Sequence, residues 1–226
     1  MNEISSGMEY EKAIDYILSM IQQGELTVGS KLPTERAIAD RLSIGRNSTR
    51  EALSILHGMG MVDRVHGSGN YISENANGTM RQMLVMMLAL GTITKKDICE
   101  FRRVMEKATC TLILSKGLRE EHRLQLEKML SDMKKASGKK QAALDKELHL
   151  LLIRASENSL LETIMSAVMT VYRDWIDVAL SKAGSDAKAK LRDCHNGIVG
   201  GLASGDADEV SRNIDAHYDL TEELIM

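Results

Sequence analysis

An aspartate and three histidines carry the most suggestive chemistry in these 226 residues. Asp145-Lys-Glu-Leu-His149 sets a carboxylate and an imidazole four residues apart. On a helix that spacing gives them one face, where they can chelate a single ion. His195 and His217 follow on later segments, roughly six helical turns apart in sequence. If those segments are antiparallel helices, the two imidazoles can stand at one height of a bundle. Such a donor set suits a borderline transition metal: zinc, nickel or manganese. Solvated Asp/His pairs are common, however, and from spacing alone three satisfied surface or core histidines remain the better account. A second constellation is Arg46-Asn47-Ser48-Thr49-Arg50. Arginine can grip O6 and N7 of guanine with two hydrogen bonds, while Asn and Ser can read adenine or bond phosphate. Arg46, Asn47 and Arg50 can share the face opposite Leu53 and Leu56. A solvated helix face explains that pattern equally well.

The elements that would position these residues can be read from periodicity. Residues 8–23 place Ile14, Ile17, Leu18 and Ile21 at helical spacing, and Gly24 stops the helix. Thr34 is a candidate N-cap for a short helix carrying Ala37, Ile38 and Leu42. The tight connection Ser43-Ile44-Gly45 leads to a third helix with Ala52, Leu53 and Leu56 as its buried stripe. Two short alternating runs, 61–65 and 70–73, flank the turn His66-Gly67-Ser68-Gly69 and predict a β-hairpin. Its small tip could approach a minor groove closely, although such turns are also ordinary. Residues 75–79 read as a linker. Beyond it, segments near 79–91, 94–116, 118–137, 139–156, 159–181, 185–204 and 206–225 all show helical spacing, with Gly91, Gly117, Gly138, Gly184 and Gly205 between most of them. The expected fold is mainly α: a winged helix-turn-helix of three helices plus a β-hairpin wing over 1–74, then an all-α antiparallel helical bundle over 80–226.

Composition agrees. Aromatic residues are only 3% and methionines number 15, so aliphatic helix packing must fill the core. Pro33 is the sole proline, which lets long helices run unbroken. The cysteines Cys99, Cys110 and Cys194 are odd in number and widely spaced, so no disulfide framework or zinc ribbon is readable. No signal peptide or membrane span is legible, and the expected location is the cytoplasm. Net charge is −3, which excludes global basicity. Between Lys31 and His66, however, six Lys and Arg side chains stand against four acidic ones, a modest basic face that could serve a groove.

Residues 24–72 resemble the DNA-binding domain of the GntR family of bacterial regulators. The matching features are G-x-L-x-x-G-x-x-LP-x-E-R, then R-x-x-x-R-E-A-L-x-x-L, then a G-x-G wing. The resemblance implies that Arg36, Arg46 and Arg50 contact double-stranded operator DNA. Asn47 and Ser48 would assist, and His66 and Gly67 would enter the minor groove. It also implies a homodimer on a palindromic operator with inverted GT…AC elements, usually acting as a repressor. Gly45 departs from the family's Ser or Thr, losing a hydroxyl that could bond backbone or phosphate.

From about residue 80 the chain resembles the FCD effector domain of the FadR-type branch. The resemblance rests on Asp145-x-x-x-His149, Ser156-x-Asn158, His195-x-x-Ile198-x-x-x-Leu202-x-x-x-Asp206 and His217, with Leu148 in place of the usual Phe. It implies that Asp145, His149, His195 and His217 ligate one divalent transition metal, and each imidazole should donate its second N–H to an orienting acceptor. Arg102-x-x-Met105-Glu106 matches the family's R-x-x-L-E, where Arg binds the carboxylate of a small organic acid. A pairing of Arg102 with Glu106, or a shift of the role to Arg103, is the alternative. Arg173 is a second candidate anion contact, and His57 and His122 read as surface residues. A regulator for which the ion itself is the signal, or a metalloenzyme, are the competing functions.

Overall fold

Ala13 and Ile17, one helical turn apart, are the fully buried positions of α1 (Glu9–Gln22), which ends ahead of Gly24 at φ 76°. The structure, a computed structural model, describes residues 8–74, 77–136 and 139–225. In α2 (Glu35–Leu42) the Thr34 hydroxyl accepts from the Ala37 N–H at 3.2 Å, the expected cap. Ile38 and Ala39 are buried there, whereas Ala37 faces solvent. Ser43 makes the turn into α3 (Arg46–Gly58) in the left-handed region, at φ 53°. Thr49, Ala52, Leu53 and Leu56 form the buried stripe of α3. Strands β1 (Val62–Val65) and β2 (Gly69–Ile72) pair antiparallel from Val62↔Ile72 to Val65↔Gly69, within a residue or so of the expected ends. Ser30 and Leu32 also hydrogen-bond to β2: Leu32 N–H to Asn70 O at 2.8 Å, and Ile72 N–H to Ser30 O at 2.9 Å. That short edge was not expected, because 29-GSKL-32 is too brief to show alternation.

The remaining helices are α4 (Asn77–Ala89), α5 (Lys95–Lys116), α6 (Glu120–Lys135), α7 (Lys139–Ala155), α8 (Ser159–Lys182), α9 (Ser185–Ser204) and α10 (Ala207–Ile225). All seven expected segments are present as helices. Residues 77–79, read as linker, form the first turn of α4, while 75–76 and Gly138 lie outside the described residues. The chain divides into two compact units at Met80/Arg81. Among the described residues no helix is long and apolar enough to cross a membrane.

The bundle core consists of two apolar clusters. One holds Cys110, Ile113, Leu148, Leu152, Ile198 and Ile214 among others; the other includes Ile98, Cys99, Ala142, Tyr172 and Leu191. On α5, α7 and α9 the chain passes from the second cluster to the first, and on α10 it runs the other way. Between the two clusters each of these helices contributes buried polar residues: Arg102 and Glu106, Asp145 and His149, His195, and His217. A polar layer is thus enclosed by two apolar ones. Opposite running of α9 and α10 is what brings His195 and His217 to one height.

Close approach of α9 to α10 fixes that height, and it depends on small residues. A Cβ added to Gly201 would meet Val210 Cγ2 at 2.8 Å and the Asp206 carbonyl at 3.1 Å, and one added to Gly197 would collide with the Asn213 side chain. At Gly200 an added Cβ would meet nothing within 4 Å. Gly201→Ala is therefore expected to cost about 1–3 kcal/mol through overpacking. Gly200→Ala should gain roughly 0.4–1 kcal/mol by restricting the unfolded chain. Denaturant melts of the two variants check this, and equal effects from both would contradict the packing described.

Candidate functional site

Asp145 and His149 lie one turn apart on α7, and α9 and α10 add His195 and His217. The ligand atoms of all four fall within 4.8 Å of one another, and all four residues are buried. The imidazole centroids are separated by 5.3, 4.9 and 4.7 Å. Asp145 Oδ1 is 3.4 Å from His195 Nε2 and Asp145 Oδ2 is 3.9 Å from His149 Nε2. Neither contact is aligned as a hydrogen bond. His149 Nε2, both ring nitrogens of His195 and His217 Nδ1 are buried without a hydrogen-bond partner. Packing alone does not account for so many unpartnered ring nitrogens at one point, because each such group costs about 1–3 kcal/mol. A cation shared by the four side chains would satisfy one nitrogen of each ring, and the three nitrogen and one carboxylate donors suit a borderline divalent metal.

Protonation supports the fit. Burial pulls the His195 pKa down to about 4, and burial with the neighbouring His195 and His149 rings holds His217 well below its ordinary value. Both rings are then neutral at physiological pH, as ligation requires. His149 differs: burial opposes its charge, but the Glu106 carboxylate outweighs burial and raises its pKa. Glu106 Oε2 lies 2.8 Å from His149 Nδ1 and accepts from the Tyr218 hydroxyl at 2.8 Å. Burial would raise the Glu106 pKa, yet His149 and Arg102 beside it hold it below the usual value. An Nδ1–H donated to Glu106 aims Nε2 at the other three ligands. The expected orienting acceptor is present for His149. At His195 it is not, since neither ring nitrogen has a protein partner.

Arg102 is 2% exposed and stacks its guanidinium 3.8 Å from the Tyr172 ring centroid. Its Nε and Nη1 donate to nothing. The alternative pairing with Glu106 does not form as a hydrogen bond, and Glu106 Oε1 is likewise without a partner. Arg103 lies elsewhere, clamped to Asp219 at 2.6 Å and close to Asp215 and Glu222 on α10. Arg102, Arg173, Tyr172 and Asp145 line one cavity of about 10 Å³, room for roughly one water molecule. Arg173 is itself more exposed and pairs with Asp177 at 3.5 Å. His122, read as a surface residue, is half-buried with Nδ1 unpartnered, while His57 bonds the Val62 carbonyl at 2.7 Å.

In the first unit Arg46, Asn47 and Arg50 are exposed on α3, Ser48 is half-buried and Thr49 faces the core. Arg50 is held by Glu35 of α2 through Nε at 3.2 Å and Nη2 at 3.1 Å. Arg36 faces solvent beside Asp40 at 3.5 Å. His66 and Gly67 form the exposed tip between the strands, with Gly67 at φ 72°. The arrangement can present cations and amides at one helix N-terminus and small residues at one hairpin.

The sequence reading missed Glu106 as the carboxylate that orients His149, and Tyr172 and Tyr218 as the rings enclosing Arg102. A signal existed: Glu106 lies four residues after Arg102, on the same face of α5. It also missed Glu9 and Glu35, whose partners are 39 and 15 residues away in sequence.

Residues 9–72 match the bacterial regulatory proteins of the gntR family, and residues 97–220, more than half the chain, match the FCD domain. The HTH-type transcriptional regulator LutR of Bacillus subtilis is 29% identical over 215 residues, covering 91% of this chain and 96% of LutR. A putative L-lactate dehydrogenase operon regulatory protein of Escherichia coli is 26% identical over 216 residues, covering 92% and 82%. The fold matches that of a Streptococcus agalactiae GntR structure with a TM-score of 0.71 at 22% identity, covering 95% and 99% of the two chains. The chain belongs to the GntR family of bacterial regulatory proteins, as a metabolite-responsive transcription regulator, not an enzyme, whose second unit is an FCD domain.

Proposed function

We propose that the chain represses transcription in the cytoplasm as a homodimer on a palindromic operator, and that a small carboxylate bound beside a metal ion in the FCD unit modulates it. The observation that carries this reading is one buried layer in which four side chains able to ligate a metal converge next to a guanidinium with two unpartnered donors. Asp145, His149, His195 and His217 would hold zinc, nickel or manganese. The ion would supply Lewis acidity toward a carboxylate oxygen, provided it accepts more than four ligands. Arg102 would receive the same acid through its unpaired Nε and Nη1, for which a planar carboxylate is the matching shape. Arg173 lines the same cavity and adds positive charge. A relative whose name refers to an L-lactate dehydrogenase operon favours a hydroxy acid as the class to try first.

The cavity of about 10 Å³ is too small for an organic acid, so the acid must bind a more open arrangement of α5, α7 and α8. A ligand shifts an equilibrium only by its differential affinity for the two states. Such coupling would let the acid alter DNA binding. Titration calorimetry on metal-loaded protein with L-lactate and related acids should show binding that Arg102→Ala weakens at least tenfold while metal content stays unchanged. Binding unaffected by Arg102→Ala would sink the assignment. Chelation at fixed acid concentration separates this reading from one in which the ion alone is the signal.

For the DNA unit, Arg46→Ala and Arg50→Ala are each expected to cost roughly 1–3 kcal/mol in operator affinity and to leave acid binding intact. Light scattering of the complex should find two chains per duplex, as two-fold symmetric half-sites require. Tight binding of one chain to an asymmetric half-site would contradict the dimer.

A further inference from the structure

The N-terminus of α3 has no side chain of its own to cap it, because its N-cap is Gly45. A carboxylate from α1 fills the gap. Glu9 Oε2 accepts the Gly45 N–H at 3.1 Å and the Ser48 hydroxyl at 2.8 Å. A Cβ on Gly45 would sit in ordinary contact with that same oxygen, at 3.4 Å, so a side chain fits there beside Glu9. The hydrogen bonds from Ser48 and Gly45 lower the Glu9 pKa, so the group is anionic at neutral pH. Charge-assisted bonds of this kind are stronger than neutral ones.

A serine hydroxyl has one proton, and here it is committed to Glu9. Ser48 Oγ then offers only lone pairs to whatever approaches α3. Lone pairs can meet the N6 amino group of adenine or the N4 amino group of cytosine. They cannot bond guanine O6 or N7, thymine O4 or a phosphate oxygen, which all need a donor. The Glu9 charge beside them adds repulsion toward phosphate.

We infer that Glu9 is a specificity-determining residue of the DNA interface: it fixes Ser48 as an acceptor, so that α3 selects adenine or cytosine at the base position Ser48 faces. This rests on the proposal that α3 reads operator DNA. Glu35 restrains Arg50 in a parallel way, so two carboxylates aim two side chains of α3.

The test is selection from a randomised DNA duplex library by the full-length chain, followed by sequencing. Wild type should enrich adenine or cytosine over guanine or thymine at one position of each half-site, by roughly fivefold for one hydrogen bond. Glu9→Ala and Ser48→Ala should both lose that preference and keep the rest of the motif. Glu9→Ala should also bind duplex more tightly at low salt, because a negative charge near phosphate is gone. The double variant Glu9→Ala with Gly45→Ser regains a capping hydroxyl, so its melting temperature should recover while the preference stays lost. An unchanged preference in Glu9→Ala, or its recovery in the double variant, overturns the inference and leaves Glu9 a structural cap. A library from which wild type enriches nothing rejects the DNA interface itself, and the inference with it.

Discussion

Glu106 accepts from His149 and Tyr218 inside a bundle that is apolar above and below, and the second unit depends on that carboxylate being accommodated. A buried anion without partners would be severely destabilising. Here an imidazole, a phenol and a nearby guanidinium compensate it. The same contact aims His149 at Asp145, His195 and His217. Structural support and the aim of His149 are therefore one interaction, and α5 reaches the His/Asp cluster through Glu106 without adding a residue to it.

That accommodation is incomplete without further partners. Four imidazole nitrogens, one oxygen of Glu106 and two nitrogens of Arg102 are buried and unsatisfied at the same level of the bundle. At about 1–3 kcal/mol for each group, the sum rivals the roughly 5–15 kcal/mol by which a typical domain is stable. A cation at the imidazoles and an anion at the guanidinium, as proposed above, would relieve opposite ends of the deficit. Binding free energy at a metal site that forms only in the folded state becomes folding free energy, so an ion held there would stabilise the bundle.

The fold was legible to a large degree because helical periodicity, glycine breaks and one capping threonine are local signals. Thr34, Ser43 to Gly45 and the hairpin around Gly67 all act within a few residues. The cluster of Asp145, His149, His195 and His217 was legible in spacing only if α9 and α10 run antiparallel, and it was the resemblance that favoured a shared ion over unconnected histidines. What sequence spacing could not show is long-range: Glu106 reaching His149, Tyr172 stacking on Arg102, and Glu9 reaching the turn before α3. Each joins elements far apart in the chain, and no periodicity marks it. The expected orienting acceptor for every imidazole was likewise too regular a rule, since His149 has one in Glu106 while neither ring nitrogen of His195 has a protein partner.

Metal stoichiometry tests the account most directly. Purified chain stripped by chelator should take up one divalent ion per chain in competition with a chromophoric indicator. The uptake should raise its melting temperature, because an ion that binds only the folded state stabilises it. His195→Ala with His217→Ala should abolish both effects. Uptake of no ion by the wild type, or undiminished uptake by that double variant, would contradict a metal held by Asp145, His149, His195 and His217.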